Sequence, residues 1–362
     1  MPSRRLKGLV LAGGKGTRLR PLTYTTAKQL VPVANRPILW YALDSLVAAG
    51  IDDIGIIISP ETGESIKKSV TAWKPSGVKI TFIVQSEPAG LAHAAKTAEA
   101  YLDNSAFVMY LGDNLIQSGL LPLVEDFRKN TADAQILLKP VENPQAFGVA
   151  ELDAAGQVIH LEEKPKEPKS NMALVGVYLF TPVVFEAIAK IKPSPRGELE
   201  ITDAIQMLIT MGKIVQSHPM EGWWLDTGKK DDLLEANRMV LDDYCQTNIQ
   251  GSVDSQSQLR GEVEIGVGTI VKNSIIQGPV RIAENCVIED AYIGPYTSIA
   301  SGCQISKAEV ENSVFLENCV VSGLQSRLEQ SLLGQGCLLT KAPGQPVGYR
   351  LMLGDHSVAE IG

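Results

Sequence analysis

Apolar positions fall into two regimes along this 362-residue chain. Up to residue 243, short apolar runs alternate with longer stretches in which apolar residues recur every three or four positions. Those are the periods of buried strands and amphipathic helices. Residues 9–12, 54–59 and 106–111 read as strands, the second rich in β-branched residues. Residues 38–49 read as a helix, with Pro37 near its start and Gly50 as its stop, and residues 91–102 as another. This order predicts an α/β domain over residues 1–243, Rossmann-like, with a mostly parallel sheet and helices on both faces. Ligands of such sheets sit at the carboxyl ends of the strands.

The pattern changes after Tyr244. Residues 244–260, CQTNIQGSVDSQSQLRG, are polar and read as a linker. Beyond them aliphatics recur at Ile265, Val271 and Ile276, then Ile282, Ile288 and Ile293, then Ile299, Ile305 and Val310, so each group returns after 17 residues. Turn-forming Gly, Asn, Asp and Ser fall between. So short a repeat predicts a β-solenoid over residues 261–345, each coil burying its aliphatics on the next; the alternative is an irregular antiparallel sheet. The pattern resembles the left-handed β-helix of hexapeptide-repeat proteins. Cys286 and Cys303, also 17 apart, are expected to stack on neighbouring coils. Residues 346–362 form a C-terminal tail without readable chemistry.

Composition narrows the setting. With 44% hydrophobic and 20% charged residues the chain is globular rather than disordered. A net charge of −8 argues against nucleic-acid or anionic-membrane partners, so basic residues must act locally. The N-terminal apolar run is too short for a signal peptide, and no run reaches the roughly 18–20 residues of a membrane span. Five cysteines without a C-x-x-C pair point to neither a disulfide framework nor a zinc site. The expected setting is reducing and cytoplasmic.

Candidate chemistry concentrates in residues 11–32, LAGGKGTRLRPLTYTTAKQLVP. The predicted strand ending at Leu11 and Ala12 breaks into Gly13, Gly14 and Gly16, followed by Thr17 and Arg18. Glycines there let backbone N–H groups approach phosphate oxygens that a Cβ would hold off. Arg18 offers a planar fork of donors and Lys28 a mobile point charge, whereas Lys15 and Arg20 read as surface cations. Two better-known phosphate loops fit poorly. A P-loop needs Lys and then Ser or Thr after its last Gly, and a dinucleotide fingerprint starting at Gly14 meets Leu19 where its third Gly belongs.

The string G-G-K-G-T-R-L-R-P-L-T followed by Lys28 resembles the signature of sugar nucleotidyltransferases. The variant AKQLVPVANRPILWYALDSLVAAGI looks most like the glucose-1-phosphate thymidylyltransferases. QSEPAGLAHA, LGDN, FGVAELD, LEEKPKEPKSN, RGELEITDA and WWLDTG continue the likeness in order, and the solenoid matches the long members of the family. Asp113, just past a predicted strand, is well placed for a hard cation, and the resemblance implies Asp113 and Asp226 as Mg2+ ligands. It implies Leu11, Ala12, Gly13, Gly14, Gly16, Thr17, Gln85, Gly90 and Asp113 as nucleotide-binding residues. Gln85 and Gly90 match the base-reading loop, and a Gln amide suits the donor–acceptor edge of a pyrimidine. For the sugar phosphate it implies Gly148, Glu163 and Lys164, with Arg196 as a second phosphate anchor. Leu174 and Val175 would wall that pocket, although core packing explains them equally well. Phe147 stands where many relatives have Tyr, so a hydroxyl contact is missing there.

Transfer of a nucleotidyl group needs the α-phosphate charge neutralised and the incoming phosphate aligned with the departing pyrophosphate. A sugar phosphate nucleophile removes any need for a catalytic Ser or Cys. Arg18 and Lys28 are then expected to act in catalysis, and the resemblance adds Lys164. The expected reaction is Mg2+-dependent, in-line transfer of a thymidylyl group from dTTP to glucose-1-phosphate. The rivals are UTP or another sugar phosphate on the same fold, and a non-catalytic sugar-nucleotide-binding subunit. Hexapeptide acyltransferases generally need a solenoid His as base, yet His93, His160, His218 and His356 leave none between Tyr244 and Arg350. The solenoid is therefore expected to serve assembly or regulation, with a homo-oligomer as the expected state.

Overall fold

The computed structural model describes residues 5–342 and 349–360. It divides into two compact units, one of residues 1–15 and 38–226, the other of residues 16–37 and 227–362. The predicted solenoid end at 345 and start of the tail at 346 lie outside the described residues.

The first unit is built on a nine-stranded sheet. Its parallel block runs Ala106–Leu111, Leu6–Leu11, Asp53–Ile58, Lys79–Val84. The first three are buried along nearly their whole length, as the continuous apolar runs require of a sheet covered on both faces. Helix Ile38–Ala48 buries Ile38, Leu39, Ala42, Leu43 and Leu46 at helical spacing. It ends where Gly50 N–H bonds Val47 O and Ile51 N–H bonds Leu46 O. The predicted helix over 91–102 is two, Leu91–Thr97 and Glu99–Leu102. Beyond the parallel block, Met172–Phe180 joins Ala106–Leu111 antiparallel and shares its length between Ala134–Pro140 and Gly148–Leu152. Its register against Ala134–Pro140 shifts between Leu174 and Tyr178. A hairpin of Gly148–Leu152 and Val158–Glu163 closes this side. A separate ribbon pairs Asn114–Ile116 with Trp224–Asp226.

The second unit contains a parallel solenoid of three sheets, of six, six and five strands. Its core is three ladders of apolar side chains. Ile265, Ile282, Ile299, Phe315 and Leu333 stack in one. Val253, Val271, Ile288, Ile305, Val321 and Leu339 stack in the next. Leu259, Ile276, Ile293, Val310 and Leu328 form the third. The residues read as a linker over 244–260 carry strands Asn248–Ile249, Ser252–Val253 and Gln258–Arg260, which pair with the next coil and so make the first turn of the solenoid. Cys286 and Cys303 do stack, joined by Cys319: each thiol donates to a carbonyl of the next coil, Ala300, Leu316 and Gly334, at 3.1–3.2 Å. Helix Lys230–Tyr244 packs on this unit, with Asn237 wholly buried.

Candidate active site

Four parallel strands of the first unit end together, because Leu11 pairs with both Ile57 and Leu111, and Ile58 with Val84. The chain leaving each strand lines one edge. Ala12 N–H bonds Ile57 O at 2.8 Å, Gln85 N–H bonds Ile58 O at 2.9 Å and Gly112 N–H bonds Leu11 O at 3.0 Å. Gly13, Gly14, Gln85 and Asp113 therefore emerge side by side. Lys15 is drawn into an ion pair with Glu61 at 3.0 Å. Gln85 Oε1 lies 3.6 Å from where a Cβ on Gly13 would stand, and its Nε2 is 2.8 Å from His93 Nδ1. Gly90 has φ +103°, and a Cβ there would collide with the Leu199 backbone. Leu199 ties that turn down by bonding Ala89 O at 2.8 Å.

The two acidic residues of the expected metal site lie at one end of the short ribbon, Asp226 on it and Asp113 just before it. Asp226 pairs with Asn114, next in the chain to Asp113. Buried Asn114 donates through Nδ2 to Asp113 Oδ1 at 3.0 Å and accepts Trp224 Nε1–H at 2.6 Å. Gly176 makes room for it, since a Cβ there would sit 2.6 Å from Asn114 Oδ1. Trp224 carries the contact on to Phe147, ring centroids 5.0 Å apart. Among the described residues no cluster of three or more His, Cys, Asp or Glu could hold a metal ion. A pair of carboxylates is nonetheless a donor set that suits Mg2+, which takes much of its shell from phosphate oxygens and water.

Phe147, Gly148, Glu163, Lys164, Leu174, Val175 and Arg196 form a second cluster of the same unit. Gly148 pairs with Glu163 across the hairpin. Gly148 was expected to admit a close ligand, yet the space of its missing Cβ is taken by Thr202 Cγ2 at 2.5 Å and Glu163 Oε2 at 3.1 Å. Thr202 donates to Glu163 Oε2 at 3.3 Å and Arg196 to Oε1 at 3.3 Å, with Lys164 Nζ 3.6 Å from Oε1. Burial pushes the Glu163 carboxyl above its ordinary value, against the pull of Lys164. Lys164 holds φ at +46°, a conformation unusual for a side-chain-bearing residue and concentrated at functional sites. Arg196 also pairs with Glu198 at 3.2 Å and Glu200 at 3.4 Å. Leu174 and Val175 are buried at the register shift, Leu174 3.8 Å from the Cβ position of Gly148. Burial first, then the carboxylates of Glu163 and Asp226, raise the pKa of Tyr178, so its phenol stays protonated between the two clusters.

Gly16, Thr17, Arg18 and Lys28 belong to the second unit. Gly16, at φ +61°, precedes the turn Thr17–Leu19. Lys28, expected as a mobile charge, is 6% exposed. Its stem passes 2.8 Å from the Cβ position of Gly16, which explains the confinement. Exposed Arg18 lies against Gly228, its Nη2 2.9 Å from that glycine's Cβ position. His93, Asn114, Tyr178, Thr202 and Trp224 escape a reading of the sequence. Asn114 and Trp224 stand beside nominated aspartates, but His93, Tyr178 and Thr202 carry no local signal.

The model of the nucleotidyl transferase family matches residues 7–243. A glucose-1-phosphate thymidylyltransferase of Streptomyces antibioticus is 50% identical over 98% of this chain and 99% of its own length. The low-salt glycan biosynthesis nucleotidyltransferase Agl11 of Haloferax volcanii is 46% identical over 98% of this chain and 100% of its own. A solved Bacillus anthracis chain described as a glucose-1-phosphate thymidylyltransferase, 39% identical, superposes with a TM-score of 0.61 over 65% of this chain and 94% of its own. The chain belongs to the nucleotidyl transferase family, in the long form whose C-terminal β-helix it shares with glucose-1-phosphate thymidylyltransferases.

Proposed function

We propose that this protein transfers a thymidylyl group from dTTP to glucose-1-phosphate, giving dTDP-glucose and pyrophosphate. The observation that carries the reading is the pairing of Asp226 with Asn114, which brings two carboxylates to the strand edge where Gly13 and Gln85 also emerge. Backbone amides after Leu11 and Ala12, from Gly13 and Gly14 through Gly16 and Thr17, bind the triphosphate, and Gln85 with Gly90 reads the base. Arg18 and Lys28 counter the charge that builds on the phosphates, and Lys164 guides the incoming sugar phosphate. Glu163 binds sugar hydroxyls beside Phe147 and Gly148, Leu174 and Val175 wall the pocket, and Arg196 anchors phosphate once it leaves its carboxylate partners.

Asp113 and Asp226 would hold Mg2+, which supplies neutralisation of phosphate charge. The protein's own groups supply alignment, worth several kcal/mol when attacking and leaving oxygens are held in line (about 7–11 kcal/mol in the best-oriented cases). The reading carries a cytoplasmic setting, supported by five free cysteines, and no helix of the described residues is long and apolar enough to cross a membrane. It also carries a homo-oligomer, supported by Ile270, Val287 and Leu338, exposed on one solenoid sheet.

Pyrophosphate release with glucose-1-phosphate tests the reading, with dTTP, UTP, ATP and GTP compared in parallel, with and without a chelator. Release that needs both substrates, is fastest with dTTP and stops on chelation is expected. A purine nucleotide used best would overturn the role of Gln85, and release insensitive to chelation would remove the metal.

A further inference from the structure

We propose that His93 sets which end of the Gln85 amide faces the base, and so makes the site take thymine or uracil and refuse cytosine. The inference rests on the reading of Gln85 as the base contact. An amide has one end that only accepts and one that only donates, and rotation by half a turn exchanges them. Here Nε2 lies 2.8 Å from His93 Nδ1 and 3.5 Å from Gly90 O. A carbonyl can only accept, so the end facing Gly90 is the NH2. At 3.5 Å, however, that bond is too long to hold the amide alone, and the 2.8 Å contact with His93 secures the same orientation when Nδ1 accepts.

For His93 Nδ1 to accept, the imidazole is neutral and carries its proton on Nε2. The ring sits on helix Leu91–Thr97, whose first turn is tied to Leu199 by Ala92 N–H at 3.0 Å. The acceptor therefore stands on a fixed element. With Nε2 committed, Oε1 is left on the side of Gly13. Thymine and uracil carry a donor at N3, whereas N3 of cytosine is an acceptor. Oε1 pairs with the first two and opposes a lone pair on the third. The same amide turned over would prefer cytosine.

The test is the ratio of kcat/KM for dTTP to that for dCTP, which cancels effects common to both nucleotides. His93→Leu removes the acceptor, and His93→Lys offers only donors and should turn the amide over. Both are expected to lower the ratio about two- to tenfold, the worth of one net hydrogen bond. His93→Asp keeps an acceptor at the δ position and should hold the ratio. Gln85→Leu separates the two levels of the argument. If it leaves the ratio unchanged, the reading of Gln85 itself fails. If it lowers the ratio while His93→Leu and His93→Lys do not, Gln85 reads the base and His93 does not orient it.

Discussion

Glu163 shows how burying one carboxyl costs stability in a pH-dependent way. Its carboxyl is held among Thr202, Arg196 and Lys164, yet burial dominates and raises its pKa above the ordinary 4.5. A carboxyl raised on folding makes the folded chain bind its proton more tightly than the unfolded chain does. The resulting cost is absent below about pH 4.5, grows as pH rises through the folded value and is complete above it. Glu163→Gln is therefore expected to raise Tm by a few degrees near pH 7.5, with no gain at about pH 4, while raising KM for glucose-1-phosphate. Thermal unfolding at the two pH values checks the first half and steady-state kinetics the second. A gain of equal size at both would exclude titration as its cause. Gln85 teaches a related lesson: its residue type suits a pyrimidine, but its contacts with Gly90 O and His93 lie outside what residue type encodes.

At the scale of elements, the proposed site depends on close approach between the strand Met172–Phe180 and the ribbon strand Asn114–Ile116, which Asp113 precedes. Gly176 lets Asn114 sit where a methyl group would otherwise stand, and Asn114 in turn holds Asp113 and Trp224. Gly176→Ala should cost about 1–3 kcal/mol of stability, as overpacked sites do. Turnover should also fall, ten- to a hundredfold, because a shift of about 1 Å in a positioned group is enough for that. Pyrophosphate release and Tm measured on the same preparation check the pair, and full activity would show that Asn114 does not position Asp113. Boundaries follow the same logic. Residues 106–111 form the predicted strand, whereas 91–102 split at Ala98 with Thr97 Oγ1 bonded to His93 O at 2.9 Å. A hydroxyl that bonds back along a helix tends to bend it.

At the scale of the whole chain, distant segments make up the second unit. Asn35 donates through Nδ2 to Arg281 O at 3.1 Å and Ile299 O at 2.8 Å. Arg281 bonds Ala34 O at 2.9 Å and pairs with Glu264 at 2.6 Å. Wholly buried Asn237 accepts from Ala34 N–H at 2.8 Å and Ser298 Oγ at 2.7 Å, and donates to Tyr296 O at 2.8 Å. Asn237→Ala would strand these partners out of water at about 1–3 kcal/mol each, so Tm should fall by at least about 5 °C. An unchanged Tm would mean that the helix Lys230–Tyr244 is not pinned to the solenoid coils. Within the second unit, the solenoid coils and this helix thus hold Ala34 and Asn35 of the segment 16–37.

The sequence by itself determined the α/β sheet and the solenoid, because each is written in short-range order. Apolar runs specify buried strands, and a 17-residue period specifies stacked coils. The first coil was legible in principle, since Leu259 stands 17 residues before Ile276, but its polar outward positions made it look like a linker. The tertiary structure alone decided which residues meet. The pairing of Asp226 with Asn114 joins positions 112 residues apart, and the bond from Gln85 to His93 crosses a turn held by Leu199. Hydrogen bonds and buried charges depend on distances of a few ångströms, and nothing in residue type or spacing encodes those until the chain has folded.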